Sequence, residues 1–262
     1  ISPTIQAFFA WQIFVSIIHT SSMAVFLWYN LPKTGYRSHF EKESLIRIWH
    51  FAAGMTGISV TVIFLTQTDK IVLSKILPLE MFGYYTLATV VAHALYHFIG
   101  PVFSALFPRL SQLVSLNDEN ALKELYHKSC KFMSVMILPA AIVVSFFSSE
   151  ILLLWTGDPV TVANTHLIVS ILIIGTALNG LMNLPYALQL AYGWTKLSLY
   201  INIVASIVLV PLIYLLAKSY GPVGAAFAWV ILNGGYFFIS IQIMHRRLLP
   251  NEKWRWYVHD IA

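Results

Sequence analysis

Charge is what this chain has least of. Only 10% of its 262 residues are Asp, Glu, Lys or Arg, where soluble domains carry about 25%. A chain that is 58% hydrophobic, with mean hydropathy +0.73, cannot cover its core with polar surface. Its solvent is therefore a bilayer. Cysteine is nearly missing as well. The single Cys130 excludes a disulfide framework and a multi-cysteine metal site, and it reads as an ordinary helix residue. There is no Walker phosphate loop, GxSxG elbow, HExxH helix or Rossmann glycine pattern. ATP hydrolysis within the chain is thereby disfavoured, and neither a cofactor nor a metal is expected. A polytopic lipid-modifying enzyme stays open, because its acids could be as sparse as Asp69, Glu150 and Asp158. Glu150 and Asp158 look more like an outer helix end and a TGDP turn. Missing too is an initial Met, or a basic region ahead of the first apolar run, since the chain starts Ile1-Ser2-Pro3. This is not a signal peptide, and the expectation is a C-terminal portion of a longer protein.

What is present is long apolar runs. A spanning helix needs about 20 mostly apolar residues, and segments 5–29, 48–67, 82–107, 132–155, 162–189, 197–217 and 223–244 meet that length. None alternates with period two, so a barrel is disfavoured. Helices satisfy their own backbone groups in lipid, and the fold class expected is an all-α polytopic membrane protein with about seven transmembrane helices. Asn117-Asp118-Glu119-Asn120 supplies an N-terminal cap for the stretch ahead of the fourth span.

The net charge of +5 could suggest nucleic acid, but the basic residues are scattered between apolar segments. Of the 16, Lys33, Arg37, Lys42, Arg47, Arg109, Lys123, Lys128, Lys131, Lys196, Arg246, Arg247, Lys253 and Arg255 lie in breaks on one side of the membrane. Lys70, Lys75 and Lys218 lie on the other. The positive-inside rule places the richer side, and with it the C-terminus, in the cytoplasm. Segment 35–49 is either an interfacial helix or a solvated connector. An odd number of spans fits a two-repeat transporter cut before its central connector: one helix of an N-terminal lobe (1–30), a cytoplasmic connector (31–48), a complete six-helix C-terminal lobe (49–245) and a cytoplasmic tail (246–262).

Polar residues inside spans are the functional candidates, since an unpaired charge in hydrocarbon costs at least ~2.5 kcal/mol. Thr56, Ser59, Thr66 and Lys70 form a weakly polar stripe ending in a cation beside Asp69. His93 and His97 share a face with Gly100 and Ser104, and Thr176, Asn179 and Asn183 share another; Asn202 and Gln189 are lesser candidates. Packing through interhelical hydrogen bonds is the competing reading for the Asn179 face and Asn202. For His93 and His97 a water-facing or interhelical role outweighs metal binding, because a third ligand is missing. Asp69 and Lys70 could simply mark the outer end of a helix, with Lys75 in the loop beyond.

The stretch TDKIVLSKILPLEMFGYYTLA (68–88), with Asp69-Lys70 followed by Gly83-Tyr84-Tyr85, resembles a signature of polysaccharide-biosynthesis membrane proteins. These are the lipid-linked oligosaccharide flippases of the multidrug/oligosaccharidyl-lipid/polysaccharide exporter superfamily. FPRLSQL (107–113) and PLIYLLAKSYGPVGAAFAW (211–229) are similar to two further family motifs, while Leu77-Pro78-Leu79-Glu80 departs from the usual Leu-Gly loop. The resemblance, over about residues 45–245, implies two six-helix lobes around a cavity that opens alternately to each side. The implied cargo is an oligosaccharide on a polyprenyl diphosphate, moved to the outer leaflet of the cell (inner or plasma) membrane with H+ or Na+ as a coupling ion. Lys70 would then meet the diphosphate and Asp69 balance that charge or couple ions. An antiporter of cationic drugs from the same superfamily is the alternative, and it would want acids in the cavity.

Overall fold

The computed structural model describes residues 5–30 and 41–261. The chain divides into two units, Ile1–Leu45 and Ile46–Ala262. The expected connector at 31–40, with Lys33 and Arg37, lies outside the described residues. In the first unit, α1 (Ile5–Asn30) is 26 residues long, with no charged side chain and no buried one, about 39 Å at 1.5 Å per residue.

The second unit is built entirely from helices: α2 (Lys42–Ile76, starting in the first unit), α3 (Leu79–His93), α4 (Tyr96–Leu116), α5 (Glu119–Phe146) and α6 (Ser148–Thr156). These are followed by α7 (Pro159–Leu181), α8 (Asn183–Ala191), α9 (Thr195–Gly235), a π-helical turn (Tyr236–Ser240), α10 (Ile241–Leu248), α11 (Lys253–Arg255) and a second π-helical segment (Trp256–Ile261). Six helical stretches among the described residues are long and apolar enough to cross a membrane, so the protein is an all-α, multi-pass membrane protein. The last stretch, Thr195–Leu248, has 54 residues and would reach about 80 Å if straight, against a hydrocarbon core of about 30 Å. It is not straight. Gly221, at φ 62° and ψ −145°, reverses the chain, and a Cβ on Gly224 would lie 2.1 Å from the carbonyl oxygen of Leu216. Counting a pass on either side of that turn restores the seven expected.

Helix ends follow local chemistry. Asp118 caps α5 by accepting from the Ala121 N–H at 3.1 Å. Gly157 takes a left-handed φ of 67°, and Asp158 then caps α7 with Pro159 in its first turn. The hydroxyl and N–H of Thr161 and the N–H of Val160 hold the Asp158 carboxyl below the usual carboxylate range. One expectation is corrected. Lys75 is not in a loop but in the last turn of α2, which runs to Ile76. Nothing breaks the helix before Pro78, and a cation suits its C-terminal end.

The unit packs around α7, which touches α3, α5 and α9 and buries residues from Thr165 to Leu181 along its length. Gly175 lets α9 come close: a Cβ there would meet the Trp229 ring at 2.5 Å. The expected tail folds back onto α5. Trp256 is fully buried. The His127 ring, also buried, sits between Asp260, at 2.5 Å, and Glu252, at 3.2 Å.

Candidate functional site

Between α2, the ends of α3 and α4, α7, α8, α9 and the first π turn, the second unit holds a partly open cavity of about 440 Å³. Its polar wall is built in two layers. The inner layer is a relay of hydrogen bonds between helices: the Tyr96 hydroxyl donates to Asn179 Oδ1 at 3.0 Å, and Asn179 Nδ2 to Asn233 Oδ1 at 2.8 Å. Asn233 Nδ2 donates in turn to the Trp229 carbonyl at 2.8 Å. Asn233 is completely buried, so this relay ties α4, α7 and α9 together.

The second layer has polar atoms to spare. Ser198 donates to Gln189 Oε1 at 2.9 Å, and the Tyr236 hydroxyl to Asn202 Oδ1 at 3.0 Å. Asn183 Nδ2 donates to the Asn179 carbonyl at 3.1 Å. Gln189 Nε2, Asn202 Nδ2 and Asn183 Oδ1 are left without a partner among the described residues. Trp229, Tyr186 and Tyr236 supply aromatic surface. Among the described residues no Asp, Glu, Lys or Arg lines the cavity, and the ionisable groups there are His93 and the tyrosines.

Of the residues singled out in the sequence, Ser59, Thr66, His93, Asn179 and Asn183 line this cavity, as do the lesser candidates Gln189 and Asn202. The Ser59 and Thr66 hydroxyls donate to their own helix, to the carbonyls of Met55 (3.0 Å) and Val62 (2.9 Å), and so offer only lone pairs. Asp69, Lys70 and His97 lie outside the lining. Asp69 borders a small hollow, where Oδ2 accepts from the Tyr85 hydroxyl at 2.8 Å and Oδ1 from the Lys70 N–H at 2.7 Å. The Lys70 amine is in no ion pair among the described residues, and it borders another hollow with His97 and Trp155. His93 lines all three spaces and stands between them. A break in the helix at Ala94 and Leu95 leaves His97 exposed, away from the cavity that Tyr96 lines. Among the described residues no group of three His, Cys, Asp or Glu is placed to hold a metal.

Asn233, Tyr96, Tyr186, Ser198, Trp229 and Tyr236 were not anticipated. The signal existed: Ser198 and Asn202 are four apart, and Asn233, Tyr236 and Ser240 follow i, i+3, i+7 on one face. The aromatics were obscured because tyrosine and tryptophan in such chains so often mark the membrane interface.

These features define a multi-pass helical membrane protein with a polar, uncharged cavity inside one helical unit. Comparison with known proteins names the family. The model for "Polysaccharide biosynthesis protein" matches residues 5–163, more than half of the chain, and the chain belongs to that family. A putative O-antigen transporter of Shigella flexneri is 26% identical over 230 residues, covering 88% of this chain and 54% of its own length. A probable low-salt glycan biosynthesis flippase of Haloferax volcanii is 26% identical over 203 residues, 71% of this chain and 41% of its own length. The chain spans about half the length of these curated relatives. No solved structure gave a significant match.

Proposed function

We propose that this chain is part of a flippase that moves a polyprenyl-diphosphate-linked oligosaccharide from the cytoplasmic to the outer leaflet of the cell membrane by alternating access. The observation that carries this reading is the polar cavity within an apolar helical unit, in a chain of the polysaccharide biosynthesis family whose relatives are named as transporters. In this reading residues 49–245 are one lobe, α1 belongs to the other, and the basic-rich breaks and C-terminus face the cytoplasm. Lys70, whose amine is in no ion pair among the described residues, offers the cargo diphosphate a cation. The alternative antiporter of cationic drugs would need acids in the cavity, and among the described residues its lining has none.

The test uses a strain lacking the full-length gene, in which lipid-linked oligosaccharide should accumulate in the cytoplasmic leaflet. Restoring the full-length protein should return export. Normal export in the deletion strain would sink the transport reading.

A further inference from the structure

The cargo of such a flippase has two unlike parts, an anionic diphosphate and a hydroxyl-rich glycan. The cavity's chemistry selects between them. A diphosphate at membrane depth demands fixed cations, because an uncompensated charge in a low-dielectric site is strongly disfavoured. Among the described residues the lining holds no Lys or Arg, and Lys70 lies in a separate hollow. What the lining does hold matches a neutral polyol. An amide both donates and accepts, as does each sugar hydroxyl. The apolar ring faces of Trp229, Tyr186 and Tyr236 suit the C–H faces of a pyranose.

The free amide ends are the second observation. Gln189 is 1% exposed, yet its Nε2 lacks a partner and looks into the cavity, because Ser198 occupies only its oxygen. Asn202 Nδ2 and Asn183 Oδ1 add a donor and an acceptor. Gln189 is buried and Asn183 and Asn202 are half-buried. Polar groups left unpaired in an apolar setting are costly, so three free amide ends at one cavity point to a ligand that completes their bonds. The volume of about 440 Å³ lies within the range of ~300–1,000 Å³ usual for small-molecule sites.

We propose that this cavity is a carbohydrate subsite, which holds an uncharged sugar unit of the cargo through Gln189, Asn202 and Asn183 while the diphosphate travels outside it. The proposal rests on the transport reading above.

The test is equilibrium binding to the full-length protein in detergent with two probes. One is the neutral repeat-unit oligosaccharide released by mild acid from the host's own surface polysaccharide, and the other is farnesyl diphosphate. Gln189→Leu and Asn202→Leu should each weaken the oligosaccharide about five- to tenfold, the worth of one or two hydrogen bonds, and leave farnesyl diphosphate unchanged, which also shows that the variants fold. Gln189→Glu and Asn202→Asp, which keep the shape and add a negative charge, should hold the oligosaccharide within about threefold, since a carboxylate accepts from hydroxyls. Oligosaccharide binding untouched by the leucine variants would overturn the assignment, as would acidic variants that repel farnesyl diphosphate more than tenfold. Wild-type protein that binds neither probe would count against the transport reading itself.

Discussion

Trp256 offers a quantitative test of the packed C-terminal segment. Residues 252–261 are held against the unit by the buried Trp256 ring, by the contacts of His127 with Asp260 and Glu252, and by the Tyr257 hydroxyl donating to the Phe237 carbonyl at 2.9 Å. Cys130, the chain's only cysteine, is 4% exposed and lies on α5 beside Trp256. Alkylation of Cys130 therefore requires the segment to open. A large buried ring replaced by alanine costs about 3–5 kcal/mol. If that cost falls on the local opening, Trp256→Ala raises the open population by roughly two to three and a half orders of magnitude. N-ethylmaleimide labelling of Cys130 in isolated membranes, read by mass spectrometry at that residue, should accelerate accordingly. Trp256→Phe, which keeps most of the apolar area, should accelerate it less than about tenfold. Wild-type labelling rates in Trp256→Ala would refute the role of Trp256 in holding the segment closed over Cys130. Equally fast labelling of all three proteins would show that Cys130 is reached by another route.

Two further predictions follow from placement. Cysteines introduced at Ser115 and Asn251 should react only with cytoplasmic reagent and one at Thr161 only with external reagent; external labelling of the first two would reverse the orientation. In the full-length protein Lys70→Ala should lose most glycan export while Lys70→Arg keeps a good part, because a diphosphate accepts either cation. Normal export by Lys70→Ala at equal membrane abundance would reduce Lys70 to an interfacial anchor.

The long apolar stretches were legible because hydrocarbon demands continuous apolar length, and that demand acts locally on the sequence. The reversal at Gly221 was legible too, since PLIYLLAKSYGP interrupts apolar residues with Lys218, Gly221 and Pro222. Where polar stripes point depends on long-range packing, so this was less visible. Ser59 and Thr66 reach the cavity, whereas Lys70, on the same stripe, does not, because the His93 side of α3 intervenes. The C-terminal segment was the least legible part. Its string KWRWYVHD carries the aromatic and basic residues of an interfacial anchor, and only the partners on α5, separated by more than a hundred residues, disclose that Trp256 and Asp260 turn inward.

Packing and function, left as alternatives for the polar stripe of the fifth span, separate once each amide is followed to its partners. Asn179 spends its oxygen on Tyr96 and its nitrogen on Asn233, and the buried Asn233 spends its own nitrogen on the Trp229 carbonyl. Such a closed relay is what interhelical glue requires, and bonds of this kind contribute only about 0.6–2 kcal/mol in membranes. Gln189 and Asn202 do something else. Each has its oxygen occupied and its nitrogen idle, in a chain where apolar side chains could fill the same space without that cost. A fold that tolerates idle donors beside a finished relay is giving up stability at one place, and such places are where binding sites are found. The relay then has a second use. By fixing α4, α7 and α9 it steadies the part of the wall that carries Asn202, whose free end would, in the proposed subsite, already be oriented for a sugar.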